Sequence, residues 1–252
     1  MSDREFVGSS SRAAAPWPGF GECIGFGLGS YRTLAHRLGA FFLLAVPWIV
    51  LYAAAANFYQ ELPAVKALVL ALALIGGSAV AVGVHRVLLL GESPLEAMRP
   101  RRAILQFVVL IGVALVLAFL ASLVVQVAGD VMVPDFLPFD AAEVTLPFLL
   151  LVFVSRTLLP FPALAVGDPR MTFGRALGRQ RIAASRHGNM LAGLLVAGLP
   201  APLLDNLVPL DQGTLALNLL MSALDGALLL AMAALIATYS SALYRRTQSD
   251  AA

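Results

Sequence analysis

Six long apolar runs, nearly free of charge, constrain what this chain can fold into more than any other feature. The hydrocarbon core of a bilayer is about 30 Å thick, so a spanning helix needs about 20 apolar residues. A segment in lipid must also satisfy its own backbone hydrogen bonds, which an α-helix does. We therefore predict an all-α polytopic transmembrane helix bundle with six spans in three hairpins. In chain order, spans one to six are Leu38–Gln60, Ala67–Val84, Ala103–Gly129, Val144–Gly167, Gly188–Leu204 and Gln212–Tyr244.

Composition agrees with a lipid environment. Hydrophobic residues make up 60% of the 252 residues and charged residues 13%. Soluble domains carry roughly 45–50% apolar and 25% charged residues. A chain this apolar has too few polar side chains to cover its surface in water. A single cysteine, Cys23, excludes an intramolecular disulfide.

Basic residues alternate between the loops in the way that sets membrane topology. Cytoplasmic loops hold most Lys and Arg residues, and the loops on one side here hold fifteen of the 17. The opposite loops are acidic, with Lys66 as their one basic residue. We therefore predict that both termini are cytoplasmic. The fifteen are Arg4, Arg12, Arg32, Arg37, Arg86, Arg99, Arg101, Arg102, Arg170, Arg175, Arg179, Arg181, Arg186, Arg245 and Arg246.

The cytoplasmic segments have patterns typical of short amphipathic helices at the membrane surface. The Ser-Pro-Leu-Glu sequence at 93–96 fits a capping box with proline at the first helical position, and Ser30 and Thr172 could cap two further helices. Basic amphipathic helices lie at headgroup level. We expect Arg175, Arg179 and Arg186 either to contact anionic lipid headgroups or only to set topology.

Three regions follow from these patterns. Residues 1–25 are predicted to be a disordered cytoplasmic tail, because they are rich in Gly, Ser, Ala and Pro and carry no apolar signal segment. Residues 26–246 form the six-span membrane domain, and residues 247–252 are a second cytoplasmic tail.

A short internal repeat links the ends of spans two and four. Arg86 precedes Gly91-Glu92, and Arg156 precedes Gly167-Asp168 at a longer spacing. The second copy contains Pro160 and Pro162, and span five contains Pro200 and Pro202. Proline removes a backbone donor and clashes with the preceding turn, so spans four and five should kink or break.

Two ionisable residues lie inside apolar spans. Arg156 follows Val144 by 12 residues and Asp225 follows Thr214 by 11, which puts them at similar depths of about 18 and 16.5 Å. A charged side chain within the bilayer costs free energy, so its presence there indicates a functional site as the first hypothesis. The two could form an ion pair that fixes helix packing, or an ion or substrate site, and the sequence leaves both open.

Sequence signatures of enzymes are absent, including G-x-S-x-G, H-E-x-x-H, the P-loop and C-x-x-C. His36, His85 and His187 each lie beside an arginine at a predicted cytoplasmic membrane edge, where the arginine would repel a cation. We therefore expect no metal and no cofactor. The basic loops contain few aromatic residues, so we expect no nucleic-acid partner.

Two segments carry a resemblance to known membrane proteins. These are Val84–Glu92 at the end of span two and Phe161–Gly167 before a basic stretch. With six spans, they resemble a loose group of bacterial membrane proteins of unassigned function. The chain is also remotely similar to the membrane domain attached to some glycerophosphodiester phosphodiesterases, without the catalytic domain. The resemblance implies no activity.

Together these features favour a non-enzymatic protein of the bacterial inner membrane, a scaffold or accessory protein, with an oligomer as one option. The alternative is a small transporter with a site near Arg156 and Asp225. A transporter requires a hydrated pocket that reaches both residues, whereas a scaffold requires a closed bundle. An intramembrane enzyme is a third class, for which the sequence supplies no nucleophile or acid–base set.

Overall fold

Eight α-helices and no strand make up the part of the chain that this computed structural model describes, which is residues 17–58, 62–132, 158–168, 184–198 and 214–248. The predicted all-α fold is confirmed for these residues. The helices are α1 (Phe20–Arg37), α2 (Gly39–Phe58), α3 (Pro63–Leu90), α4 (Pro94–Ala97), α5 (Arg101–Met132), α6 (Pro160–Val166), α7 (Ala184–Gly198) and α8 (Leu215–Gln248).

Four of these helices are long and apolar enough to cross a membrane, compared with the six spans predicted. They are α2, α3, α5 and α8, and they correspond to predicted spans one, two, three and six. The described parts of spans four and five are α6, with 7 residues, and α7, with 15. Helices of these lengths measure about 10 and 22 Å, less than the roughly 30 Å of a bilayer core. Within the described residues the count of spans is therefore four, not six.

Helix α3 continues past the predicted end of span two, because the polar residues there are satisfied inside the fold. The helix passes through His85 and Arg86 and ends at Leu90. Gly91 then takes the left-handed conformation, with φ of 72°, and its N–H donates to the Val87 carbonyl. Such a glycine is a common helix C-terminus, since it has no Cβ to clash.

The predicted helix after span two is present as α4, with Ser93 as N-cap and Pro94 in the first turn. The Ser93 hydroxyl donates to the Glu96 carboxylate at 2.8 Å rather than to a backbone N–H. This hydrogen bond lowers the pKa of Glu96. In span four, α6 begins at Pro160, where the sequence predicted a break.

Helix α1 differs from the prediction at its beginning. It starts at Phe20, inside the segment predicted to be a disordered tail, with Gly19 as N-cap and the Gly19 N–H donating to Glu22 at 3.0 Å. Ser30 is therefore not an N-cap. It lies within α1, and its hydroxyl donates to the Phe26 carbonyl at 2.9 Å. Thr172 lies outside the described residues.

Helix α8 lies at the centre and contacts α1, α2, α3, α6 and α7. Asn57, near the end of α2, donates to the Asn218 carbonyl near the start of α8. Arg245, near the end of α8, donates to the Leu88 carbonyl near the end of α3. Helices α3 and α8 thus run in the same direction, and α2 runs in the opposite one.

Three clusters of buried side chains form the core. The first joins α1, α7 and α8 around Tyr239, the second joins α2, α3 and α8 around Phe41, and the third joins α3, α5 and α6 around Phe107. Outside them, many large apolar side chains of α2, α3, α5 and α8 are exposed. An exposed apolar surface of this kind is typical of a protein that associates with a membrane.

Candidate functional site

Two groups of polar side chains lie in the contacts that α8 makes with α2 and α3. The Asp225 cluster consists of Tyr52, Asn57, Ser222 and Asp225. The His85 cluster consists of Ser78, His85, Ser240 and Ser241. Polar groups inside an apolar bundle are energetically costly unless they are hydrogen-bonded. The hydrogen-bond partners of each cluster therefore indicate whether it holds helices together or can bind another molecule.

The Asp225 cluster is a set of hydrogen bonds between α2 and α8. The Tyr52 hydroxyl donates to the Asp225 carboxylate at 2.8 Å. The Asn57 amide donates to the Ser222 hydroxyl at 2.7 Å and to the Ala53 carbonyl at 2.8 Å. The half-buried carboxylate therefore has a partner on the neighbouring helix.

Aromatic side chains of α2 fill the space beside this cluster. Trp48 and Tyr52 are stacked with 5.3 Å between ring centroids. Trp48 lies against Gly76 of α3, and Tyr52 lies against Gly226 of α8, where any Cβ would meet the ring. Small residues thus admit large rings, which allows the helices to pack closely.

The His85 cluster connects α3 to α8 further along the bundle. His85 is buried, and its Nδ1 lies 2.8 Å from the Ser241 hydroxyl. Its ring contacts Phe107 edge-on, with 5.9 Å between centroids. The sequence placed His85 at a membrane edge because Arg86 follows it. The α3 face that carries His85 packs against α5 and α8, so the imidazole lies inside the bundle, and its position at a membrane edge stays a prediction.

Ser78 is the exception in this cluster. The residue is fully buried, and its hydroxyl has no hydrogen-bond partner among the described residues. Ser240, by contrast, donates to the Ala237 carbonyl at 3.1 Å. An unpaired buried donor costs free energy comparable to a lost hydrogen bond.

A cavity of about 230 Å³ lies beside the His85 cluster, between α3, α5, α6 and α8. Its wall is almost entirely apolar, and Ser78, His85 and Ser240 are its polar lining residues among those described. Neither Asp225 nor Ser241 lines it. The cavity and the buried carboxylate are therefore separate features.

Arg86 joins α3 to α6. Its guanidinium forms an ion pair with Glu92, with Nε 2.7 Å from Oε2, and its Nη1 donates to the Ala165 carbonyl at 3.0 Å. The predicted repeat has a structural counterpart here, because Gly91 and Gly167 both end helices with φ near 70°. In the second copy, the acidic residue Asp168 accepts a hydrogen bond from Tyr244 at 2.9 Å.

Helices α1 and α7 meet through hydrogen bonds to backbone carbonyls near the described end of α7. The Tyr31 hydroxyl donates to the Val196 and Ala197 carbonyls at 2.6 and 3.0 Å, and burial raises the pKa of Tyr31. Cys23 is buried beside Tyr239, and burial raises the pKa of its thiol. This thiol is therefore packed rather than poised for reaction.

The predicted site residues are described only in part. Asp225 is paired with Tyr52, whereas Arg156 lies outside the described residues, so their ion pair stays a prediction. Arg186 is exposed on α7, with its guanidinium carbon 5.2 Å from the centroid of Trp17, while Arg175 and Arg179 lie outside the described residues. Lipid contact by these three arginines also stays a prediction.

Sequence reasoning missed Tyr52, Asn57, Ser78 and the serine partners on α8. A signal existed for one pair: Ser78 and His85 are seven residues apart, which puts them on one face of α3. In the described part of the chain, no three His, Cys, Asp or Glu side chains converge as metal ligands would.

Comparison of the chain with protein-family models, with curated proteins and with solved structures finds no match.

Proposed function

We propose that this chain is a non-enzymatic protein of the bacterial inner membrane that acts as a scaffold or accessory protein. The observation that carries the proposal is the use of buried polar side chains on α8. Tyr52–Asp225, Asn57–Ser222 and His85–Ser241 each join α8 to another helix. Hydrogen bonds of this kind hold helices together in a membrane, so they stabilise a closed bundle.

The proposed topology has six spans with both termini in the cytoplasm. The alternating basic and acidic loops support it. Helices α2 and α8 run in opposite directions, which agrees with span one leaving the cytoplasm and span six returning to it. At the cytoplasmic face, Arg175, Arg179 and Arg186 would contact anionic headgroups, and the exposure of Arg186 on α7 supports this.

A transporter with its site at Asp225 has less support. Its carboxylate would have to face a pocket open to solute, but Asp225 does not line the cavity and already accepts a hydrogen bond from Tyr52. An enzyme has less support as well. Ser241 and His85 have the spacing of a nucleophile and a base, but Ser241 does not line the cavity that a substrate would enter.

Flux measurements on the purified protein in liposomes test the proposal. We expect the permeability to protons, potassium and glycerol to equal that of protein-free liposomes. Saturable flux that Asp225→Asn abolishes, with thermal stability unchanged, would establish a transporter instead.

A second measurement tests the scaffold role directly. A photocrosslinking amino acid at exposed Leu95, on the surface helix α4, should give discrete adducts in native membranes. The same group at Leu43, an exposed apolar position of the predicted first span, serves as the control for random collision with other membrane proteins. Equal, diffuse labelling from both positions would count against a scaffold.

A further inference from the structure

The cavity between α3, α5, α6 and α8 has the volume of a ligand site rather than of a packing gap. Its volume is about 230 Å³, which exceeds the roughly 150 Å³ of an apolar cavity that admits benzene. Ala81, Ala114 and Ala233 contribute small side chains from three helices. The cavity is open on one side rather than enclosed, so a molecule can enter it, and an occupant would add contacts along the apolar lining.

The hydroxyl of Ser78 gives this cavity a polar feature. A serine or threonine inside a helix can satisfy its hydroxyl by donating to the carbonyl four residues earlier. Ser30 and Thr238 do so here, at 2.9 and 2.8 Å. Ser78 does not, although it is fully buried and lines the cavity. Its donor therefore needs an acceptor from an occupant.

Water fits this cavity poorly. A buried water typically makes about three hydrogen bonds. Ser78 and His85 are seven residues apart on α3, or about 10 Å along the helix, and the Ser240 hydroxyl already donates to Ala237. One water at Ser78 would lack partners and would leave most of the apolar volume empty. A molecule that is apolar over most of its surface fits both features.

We propose that this cavity binds a small lipophilic molecule whose carbonyl oxygen accepts a hydrogen bond from the Ser78 hydroxyl. The apolar walls from four helices hold the body of the molecule, and the His85 imidazole and the Ser240 hydroxyl are the other polar groups of the wall among the described residues. Because the cavity does not include Asp225, this site is independent of the scaffold role and can exist whether or not that role holds.

The experiment uses two probes of the same size, 4-fluoroacetophenone and 4-fluorocumene, which differ by a carbonyl oxygen in place of a methyl group. Fluorine NMR titration of the full chain in nanodiscs measures the binding of each, with empty nanodiscs to subtract partitioning into lipid. One net hydrogen bond corresponds to a roughly twofold to tenfold difference in affinity. We expect the ketone to bind more tightly by such a factor.

Ser78→Ala should reduce the affinity for the ketone to that for the hydrocarbon and leave hydrocarbon binding nearly unchanged. Thr238→Val is the matched control, because it removes a buried hydroxyl that bonds within α8 and does not line the cavity. It should keep the preference for the ketone. A preference that survives Ser78→Ala would overturn the proposal, as would equal binding of both probes to the unmodified protein.

Ala81→Leu and Ala114→Leu fill the cavity from α3 and from α5, and each should abolish saturable binding of both probes. Binding that persists in a folded filled variant would place the probes elsewhere and overturn the proposal. A melting curve for each variant establishes that it is folded. If both leucine variants unfold, the conservative Ser78→Ala comparison still decides the outcome.

Discussion

The two polar clusters along α8 differ in how the neighbouring helix fills the space around them. Helix α2 brings two aromatic rings, Trp48 and Tyr52, against glycines, and the polar groups beside them are paired. Helix α3 brings the small residues Gly77 and Ala81 toward a mixed face of α8 that includes Leu229 and Ala233. There a cavity remains, and the Ser78 hydroxyl lacks a partner.

The difference teaches that aromatic rings seated against glycines close a helix contact, whereas Gly77 and Ala81 leave volume beside α8 that the facing side chains do not fill. Polar groups in the closed contact between α2 and α8 form hydrogen bonds that hold the two helices together. Polar groups beside the volume are available to another molecule. This comparison gives Asp225 a structural role and Ser78 a binding role, and four predictions test it in order of decreasing effect.

The largest effect is expected from the ion pair between Arg156 and Asp225 that the sequence predicts. Breaking a buried pair typically costs about 3–5 kcal/mol, because one charge is left without compensation. Asp225→Asn and Arg156→Gln should each destabilise the bundle, and the double variant should recover much of the loss. Unfolding free energies in mixed micelles for all four forms complete the double-mutant cycle. Additive losses would show that the two residues do not interact.

Tyr52→Phe should cost about 1.5–3 kcal/mol, the usual range for a hydrogen bond to a charged group. The ring stays in place against Gly226, so the loss reports the hydroxyl rather than the packing. Tyr31→Phe is the matched control, since its hydroxyl donates to neutral carbonyls of α7, and it should cost less. Equal losses in the two variants would mean that the hydrogen bond to the Asp225 carboxylate is no stronger than the hydrogen bonds to neutral carbonyls.

Ser241→Ala should cost about 1 kcal/mol, between the average of about 0.6 and the maximum of about 1.7 kcal/mol for a hydrogen bond between helices in a membrane. It removes the partner of His85 Nδ1 while leaving the imidazole against Phe107. The measurement is the unfolding free energy in the same micelles. If Ser241→Ala costs as much free energy as Tyr52→Phe, the His85 cluster stabilises the bundle as strongly as the Asp225 cluster does. The proposed difference between the two clusters would then be weakened.

The apolar runs predicted the helices well where a helix exposes apolar side chains over its length. Predicted span one, Leu38–Gln60, corresponds to α2 within two residues at each end. Span two was predicted six residues too short at its end, because His85 and Arg86 look like a boundary in a one-dimensional pattern. Two of their partners, Ser241 and the Ala165 carbonyl, come from distant parts of the chain. A charge count along the sequence cannot include them.

The site was harder to predict than the fold. Asp225 stands out because a charge in an apolar run is rare, whereas Ser78 is an ordinary small residue in a stretch of Gly and Ala. Ser78 matters because it lines a cavity formed by four helices. The sequence of α3 alone does not show which residues of the other helices face Ser78. The start of α1 was missed for a related reason. Its many glycines suggest a tail, but Gly27 and Gly193 allow α1 and α7 to approach closely.

The smallest effect, and the sharpest contrast, is expected from two serine-to-alanine substitutions. Ser222→Ala removes the acceptor of Asn57 in the Asp225 cluster and should lower the unfolding free energy by about 0.6 kcal/mol. Ser78→Ala removes a buried donor that has no partner among the described residues. It should leave the free energy unchanged or raise it by up to about 1 kcal/mol, because a desolvated hydroxyl is no longer buried unpaired. Both are measured without added ligand, since an occupant would reverse the sign for Ser78. If Ser78→Ala destabilises the empty protein as much as Ser222→Ala does, Ser78 has a structural partner, and the contrast between the closed contact and the cavity fails.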